Sequence, residues 1–268
     1  MKIFDHVSGS YLDHQGARIY YEVAGNPDGP VLLVIHGGFG HLRNFNYIIP
    51  ELFSHYKVIG MDTRGHGKST CGGNGLSYEL IQQDAEKIIA LLEVKTLCIM
   101  GFNDGGTVAY RLAAKAKLFT VEKIVTISSR WRLKDAEDCE ELLRGINSGD
   151  YKSKFPGIYD LYQLQNPEPD FESFAEDLIR MWFDAEPSGY PDENVNAIGC
   201  PLLMIRGEKD LILTQESGSE LVALLKNGKL VSIPSAGHQV FSDQPELFNN
   251  VVYDFLRPAP LSNRVVQS

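Results

Sequence analysis

Short apolar runs at residues 31–35, 57–61, 96–100, 121–127, 201–205 and 229–233 punctuate the chain, most of them followed by a stretch of helical period. Runs of this length suit strands, and where a run is apolar at every position the strand must be covered on both faces. Helical stretches at 44–55, 77–92, 105–115, 216–225 and 244–256 supply that cover, and Ser77 followed by Glu79 marks one helix start. A further strand at 17–23, rich in aromatic and β-branched residues, follows a turn at His14-Gln15-Gly16. This alternation predicts an α/β fold, a mostly parallel sheet with helices on both faces. Its ligand site is expected outside the carboxyl ends of the strands.

The rhythm stops between Ser129 and Gly199. Helix-like pieces at 134–146, 157–165 and 171–184 are joined there by Asn166-Pro167-Glu168-Pro169 and Pro187-Ser188-Gly189-Tyr190-Pro191. A helical insertion is expected, dividing the chain into core at 1–128, insertion at 129–199, core again at 200–257 and a loose tail at 258–268. At 268 residues and 43% hydrophobic, the chain has enough apolar material for one large domain. A net charge of −10 without clustered Lys and Arg excludes nucleic acid and anionic membrane as expected partners and leaves a small molecule. Cys71, Cys98, Cys139 and Cys200 stand singly, which predicts a reduced compartment, with Cys98 in the core. The first residues lack a signal-peptide pattern and no run reaches membrane length, so the expected location is the cytoplasm. No metal site or cofactor motif is present, and the oligomeric state is left open.

The segment Gly101-Phe102-Asn103-Asp104-Gly105-Gly106 follows a strand and opens a helix. In a Gly-x-Nu-x-Gly turn the glycines let the strand bend sharply, which forces the central side chain up above the sheet. Here that side chain is the carboxamide of Asn103. Its nitrogen lone pair is delocalised, so a neighbouring histidine cannot activate it as it would a hydroxyl.

Four motifs in order resemble the α/β-hydrolase family, serine-hydrolase type with a helical lid inserted after the sixth strand, along nearly the whole chain. They are His36-Gly37-Gly38-Phe39-Gly40, Asp62-Thr63-Arg64-Gly65-His66-Gly67-Lys68-Ser69, the turn around Asn103, and the pair Gly207-Glu208-Lys209-Asp210 and Ala236-Gly237-His238. The resemblance implies a triad of Asn103 (in place of Ser), Asp210 and His238, with Asp210 orienting the ring of His238. It also implies an oxyanion hole from the amides of Gly38 or Phe39 and of Asp104. His36 is expected to hold its loop, Asp62 to pair with Arg64 beneath the site, and Asp104 to start the helix after the turn. Tyr159, Tyr162 and Trp182, with Phe174, Met181 and Phe183, are candidates to line an apolar pocket or to pack the lid helices together.

Three functions follow from these residues. The leading one is hydrolysis of a small ester, amide or related acyl substrate, in a copy whose nucleophile has been replaced. A second makes Asn103 the precursor of an aspartate nucleophile through deamidation, with epoxide opening if two lid tyrosines face the site. A third is a non-catalytic protein that binds a ligand through the Asn103 carboxamide.

Overall fold

The computed structural model describes residues 2–146 and 148–257, the side chain of Ser148 excepted. The tail expected at 258–268 lies outside the described residues. Eight strands, β1 (Ser10–His14), β2 (Ala17–Gly25), β3 (Val31–Ile35), β4 (Lys57–Met61), β5 (Thr96–Phe102), β6 (Thr120–Ile127), β7 (Leu202–Gly207) and β8 (Gly228–Ile233), form one sheet in the order β1-β2-β4-β3-β5-β6-β7-β8. The β1/β2 and β2/β4 pairs are antiparallel, and every other pair is parallel. The mostly parallel sheet is therefore as the alternation predicts. β1 escaped the sequence reading because Ser-Tyr-Leu-Asp-His is largely exposed at the sheet edge and carries no apolar run.

Helices α1 (Phe45–Ile48), α2 (Tyr78–Leu91) and α3 (Asp104–Lys115) connect the first strands. Between β6 and β7 lie α4 (Leu133–Glu137), α5 (Glu140–Arg144), α6 (Ser148–Lys154), α7 (Pro156–Gln165) and α8 (Phe171–Trp182), with a 3-10 turn at Asp192–Ala197. The core closes with α9 (Gln215–Leu224), α10 (Val240–Asp243) and α11 (Pro245–Leu256). Alternation along β3 explains the two layers. Leu33 and Ile35 pack with α2 and α3 on one face, and Leu32 and Val34 pack with α1 and α11 on the other. Ser77 caps α2 by accepting from the Leu80 amide at 3.1 Å. No helix among the described residues is long and apolar enough to cross a membrane.

Two expected helices are broken. The stretch 44–55 is α1 flanked by 3-10 turns at Leu42–Asn44 and Leu52–Ser54. Pro50 disfavours helical backbone in the residue before it, and Ile49 accordingly turns to φ −137°, ψ 49°. The stretch 134–146 splits into α4 and α5, because Cys139 leaves helical geometry at φ −123°, ψ 28°.

The order of strands places the site. The chain leaves β3 for β4 on one side and returns to β5 on the other, so the connections part between β3 and β5 at their carboxyl ends. The Gly37-Gly38 loop follows β3, Asn103 follows β5, Asp210 follows β7 and His238 follows β8, all at that same edge.

Beneath them, Asp62 and Arg64 do not pair with each other as expected. Asp62 binds His6 at 3.0 Å and accepts from the amides of Leu42 and Lys68, each at 2.8 Å. Arg64 instead grips Asp84 on α2 with Nε at 2.6 Å and Nη2 at 2.8 Å, both partners fully buried. A fork on a carboxylate is the geometry guanidinium is built for, and 64 and 84 are far apart in sequence, so the preference for the nearer acid was the wrong one. Burial pushes the Asp84 carboxyl above its ordinary pKa against the pull of Arg64. Arg64→Met should therefore cost about 3 kcal/mol in urea unfolding by leaving the buried Asp84 carboxylate with His14 Nδ1, at 2.7 Å, in place of the guanidinium fork, and adding Asp84→Asn should return part of that loss.

Candidate active site

β5 passes into α3 through a turn in which no room is left for a side chain at its glycines. A Cβ on Gly101 would lie 2.2 Å from the Gly105 carbonyl oxygen, and one on Gly105 would lie 2.0 Å from that of Ile35. Between them Asn103 adopts φ 49°, ψ −117°, a strained conformation for a non-glycine residue. Its own amide donates to the Ile127 carbonyl at 2.9 Å, which anchors the turn to β6.

The Asn103 side chain is satisfied at both ends. Nδ2 lies 3.0 Å from His238 Nε2, and Oδ1 accepts from the Asp104 amide at 2.8 Å. His238 Nδ1 in turn lies 3.1 Å from Asp210 Oδ1. These contacts fix the protons: Asp210 holds one on Nδ1, so Nε2 is the acceptor and the amide NH2 must face it. A flipped carboxamide would set an NH2 against the Asp104 N–H. The structure thus brings Asn103, His238 and Asp210 into one line. Asp210 Oδ1 also accepts from the amides of Ile212 at 2.9 Å and Leu213 at 3.4 Å, so it braces its own loop as well as the ring. Burial raises its carboxyl pKa, but the bond from His238 and that of the Ile212 amide outweigh this and hold it below the ordinary value.

The three amides proposed to face an oxyanion differ. That of Asp104 is taken by Asn103 Oδ1, and that of Phe39 donates to His66 Nε2 at 3.2 Å. The Gly38 amide makes no hydrogen bond among the described residues. His36 holds its loop as expected, accepting from the Thr63 amide at 3.0 Å through Nε2 and meeting the Gly37 carbonyl through Nδ1 at 2.8 Å. His66 performs the same service for Phe39, a role that its place inside a glycine-rich motif had hidden.

Asp104 begins α3, but its carboxylate also gathers a buried network. Tyr78 donates to it at 2.8 Å, Arg130 at 3.0 Å and the indole of Trp182 at 2.9 Å. Tyr190 sits beside Tyr78 at 3.4 Å, and the Arg130 guanidinium lies 5.4 Å from the Trp182 ring. Trp182, named as a pocket residue, is thereby committed to the network. Neither it nor Tyr159 borders the cavity next to the site, which reaches Phe102 and Gln239, the neighbours of Asn103 and His238, whereas Tyr162 does. That cavity of about 630 Å³ runs between the Gly37–His41 loop, Phe102, Tyr151, Phe171 and Phe241. The network and Tyr151 were missed for different reasons. Arg130 follows an apolar strand closely and so carries a signal, since a cation there needs a buried partner; Tyr151 lies in a polar stretch that gives none.

Residues 30–153 match the model of the alpha/beta hydrolase fold family. The chain is 26% identical over 251 residues to the AB hydrolase superfamily protein YisY of Bacillus subtilis, covering 85% of this chain and 91% of that one. It is 24% identical over 268 residues to the human serine hydrolase BPHL, covering 94% and 87%. A putative lipase structure from Acinetobacter baumannii superposes with a TM-score of 0.77 at 22% identity, covering 93% of this chain and 90% of that chain. The chain has the α/β-hydrolase fold, and the matched family and relatives support a place among the α/β hydrolases.

The histidines under the site give it a pH limit. Burial pushes His36 down to about 3, helped by His66, and pushes His66 and His41 each down to about 4. Their rings stay neutral in the fold but take up protons near pH 6.5 once unfolded. The stabilisation is complete above that pH and is lost as pH falls toward 4, because the unfolded chain then binds more protons. Thermal unfolding midpoints should decline across pH 6.5 to 4, and His66→Gln should flatten that slope.

Proposed function

We propose that the chain is an α/β-hydrolase-type hydrolase built for a small ester, amide or related acyl substrate and held closed by the Asn103 side chain. The observation that carries this reading is the line Asp210–His238–Asn103–Asp104, in which the carboxamide occupies both the base and one oxyanion amide. Everything such a reaction requires of its surroundings is supported by the geometry except the nucleophile. With a hydroxyl at position 103, His238 would take its proton, the acyl group would transfer, and His238 would then activate water for the second half of the reaction. The developing oxyanion would rest on the Asp104 and Gly38 amides, since that of Phe39 is spent on His66.

The cavity narrows the substrate. Its walls combine aromatic and aliphatic side chains with the uncharged polar groups of Asn44, Gln165, Gln239 and Ser242, and its two histidines, His41 and His66, are kept neutral by burial. No Lys, Arg, Asp or Glu lines it, so an uncharged acyl or alkoxy group fits it best. The 129–199 insertion, acting as a lid, would set specificity through Tyr162 and its neighbours. No metal or cofactor enters this reading.

Non-catalytic binding is the second reading, favoured by the same saturated carboxamide. A resident ligand would then lean on the apolar walls and lose affinity on Phe171→Ala, while Asn103→Ala would change it only if the carboxamide turns toward the ligand.

The two readings part on one substitution. Asn103→Ser should switch on p-nitrophenyl ester hydrolysis, and His238→Ala in that background should remove it by roughly 10⁴-fold or more. Silence from a folded Asn103→Ser protein against a panel of short acyl esters would sink the hydrolase reading.

A further inference from the structure

Asn103 is itself an amide, and it lies where this site would hydrolyse one. Its carbonyl oxygen already rests on the Asp104 N–H at 2.8 Å, the position of an oxyanion donor. Its nitrogen already faces His238 Nε2 at 3.0 Å, the group that would protonate a departing amine. Asp210 on Nδ1 keeps that ring in the tautomer a base requires, and the side chain of His238 is 25% exposed, so solvent reaches it. The free Gly38 amide stands in the loop against the same turn, for a Cβ on its neighbour Gly37 would lie 3.3 Å from Asn103 Oδ1.

We propose that Asn103 is a modification site of its own active centre, hydrolysed there to an aspartate. His238 Nε2 takes a proton from a water molecule while the water oxygen bonds to Cγ of Asn103. Negative charge gathers on Oδ1, held by the Asp104 amide. The intermediate collapses by breaking the Cγ–Nδ2 bond, and His238 returns its proton to the nitrogen. One water is consumed and one ammonia released, which leaves as ammonium once it takes up the proton of the new carboxyl group. The product carries a carboxylate nucleophile at the turn after β5, beside an intact histidine and acid.

A rival route exists in any Asn: the following backbone nitrogen attacks Cγ and closes a cyclic imide. Here that nitrogen opens α3, and ring closure would pull it out of the first turn. The imide reopens to a mixture rich in isoaspartate and has no use for His238, so the two routes leave different marks.

The test follows the peptide containing position 103 by mass spectrometry as the purified full-length chain ages near neutral pH in ordinary and in ¹⁸O-labelled water. The expected result is a gain of about 1 Da, or about 3 Da with the label, in normal aspartate and not isoaspartate. His238→Gln and Asp210→Asn should slow it, the former by roughly 10²–10⁴-fold. An unshifted mass, isoaspartate as the main product, or an unchanged rate in folded His238→Gln would each overturn the proposal. The product analysis uses the unaltered chain and stands even where a variant fails to fold. The inference rests on the placement of His238 and Asp210 but not on ester turnover. An active Asn103→Ser enzyme with no mass change refutes this step alone, and conversion without esterase activity refutes only the acyl-substrate reading.

Discussion

The close approach of β5, α3 and the end of β3 is the constraint around which the molecule is arranged. With the Gly105 backbone pressed against the Ile35 carbonyl and Gly101 against Gly105, the strand must turn into the helix at one residue, and that residue takes the strain. The strain is held because the surrounding sheet over-determines it: Asn103 donates to β6 while α3 is buried along the other face. The side chain is thereby aimed before any ligand arrives, and preorganisation of that kind makes the surrounding dipoles effective.

A second layer of order is electrostatic. Asp104 is one residue beyond the turn, yet it is the meeting point of groups from α2, the loop after β6 and the last turn of α8. A buried carboxylate with a guanidinium and two further donors within reach is tolerable only while all are present, so the network specifies how the insertion sits on the core. Asn166, between α7 and α8, does the same, donating through Nδ2 to the carbonyls of Gly65, Gly67 and Ser69.

What was legible in the sequence was whatever repeats locally. Apolar runs flanked by glycine gave the parallel strands, and the Ser77 cap and the glycines around Asn103 marked where helices begin. Spacing does not encode partners across the sheet. Arg64 was expected on Asp62, two residues away, because sequence shows neighbours; the fold gave it Asp84, and gave Asp62 to His6. Trp182 reads as an apolar pocket residue until its indole nitrogen is seen against a buried carboxylate. Tyr151 and Tyr159 lie on adjoining helices and look equivalent as letters, but only Tyr151 borders the cavity, stacking on Phe39 with centroids 4.1 Å apart. The line joining Asn103, His238 and Asp210 spans loops after three different strands, so motif order suggested it where spacing alone would not.

The indole bond from Trp182 to Asp104 has a mechanical corollary. Lifting α8 would expose a carboxylate and an arginine together, and lifting the segment at Asn166 would strand three backbone carbonyls. The roof over the cavity is thus riveted along α8 and at the foot of α7. Along α6 and the leading half of α7 the wall is made by rings, with Tyr151 stacked on Phe39 and tilted against Phe155. The cavity is therefore bounded on that side by ring packing, which adapts to shape where the ion-paired side cannot.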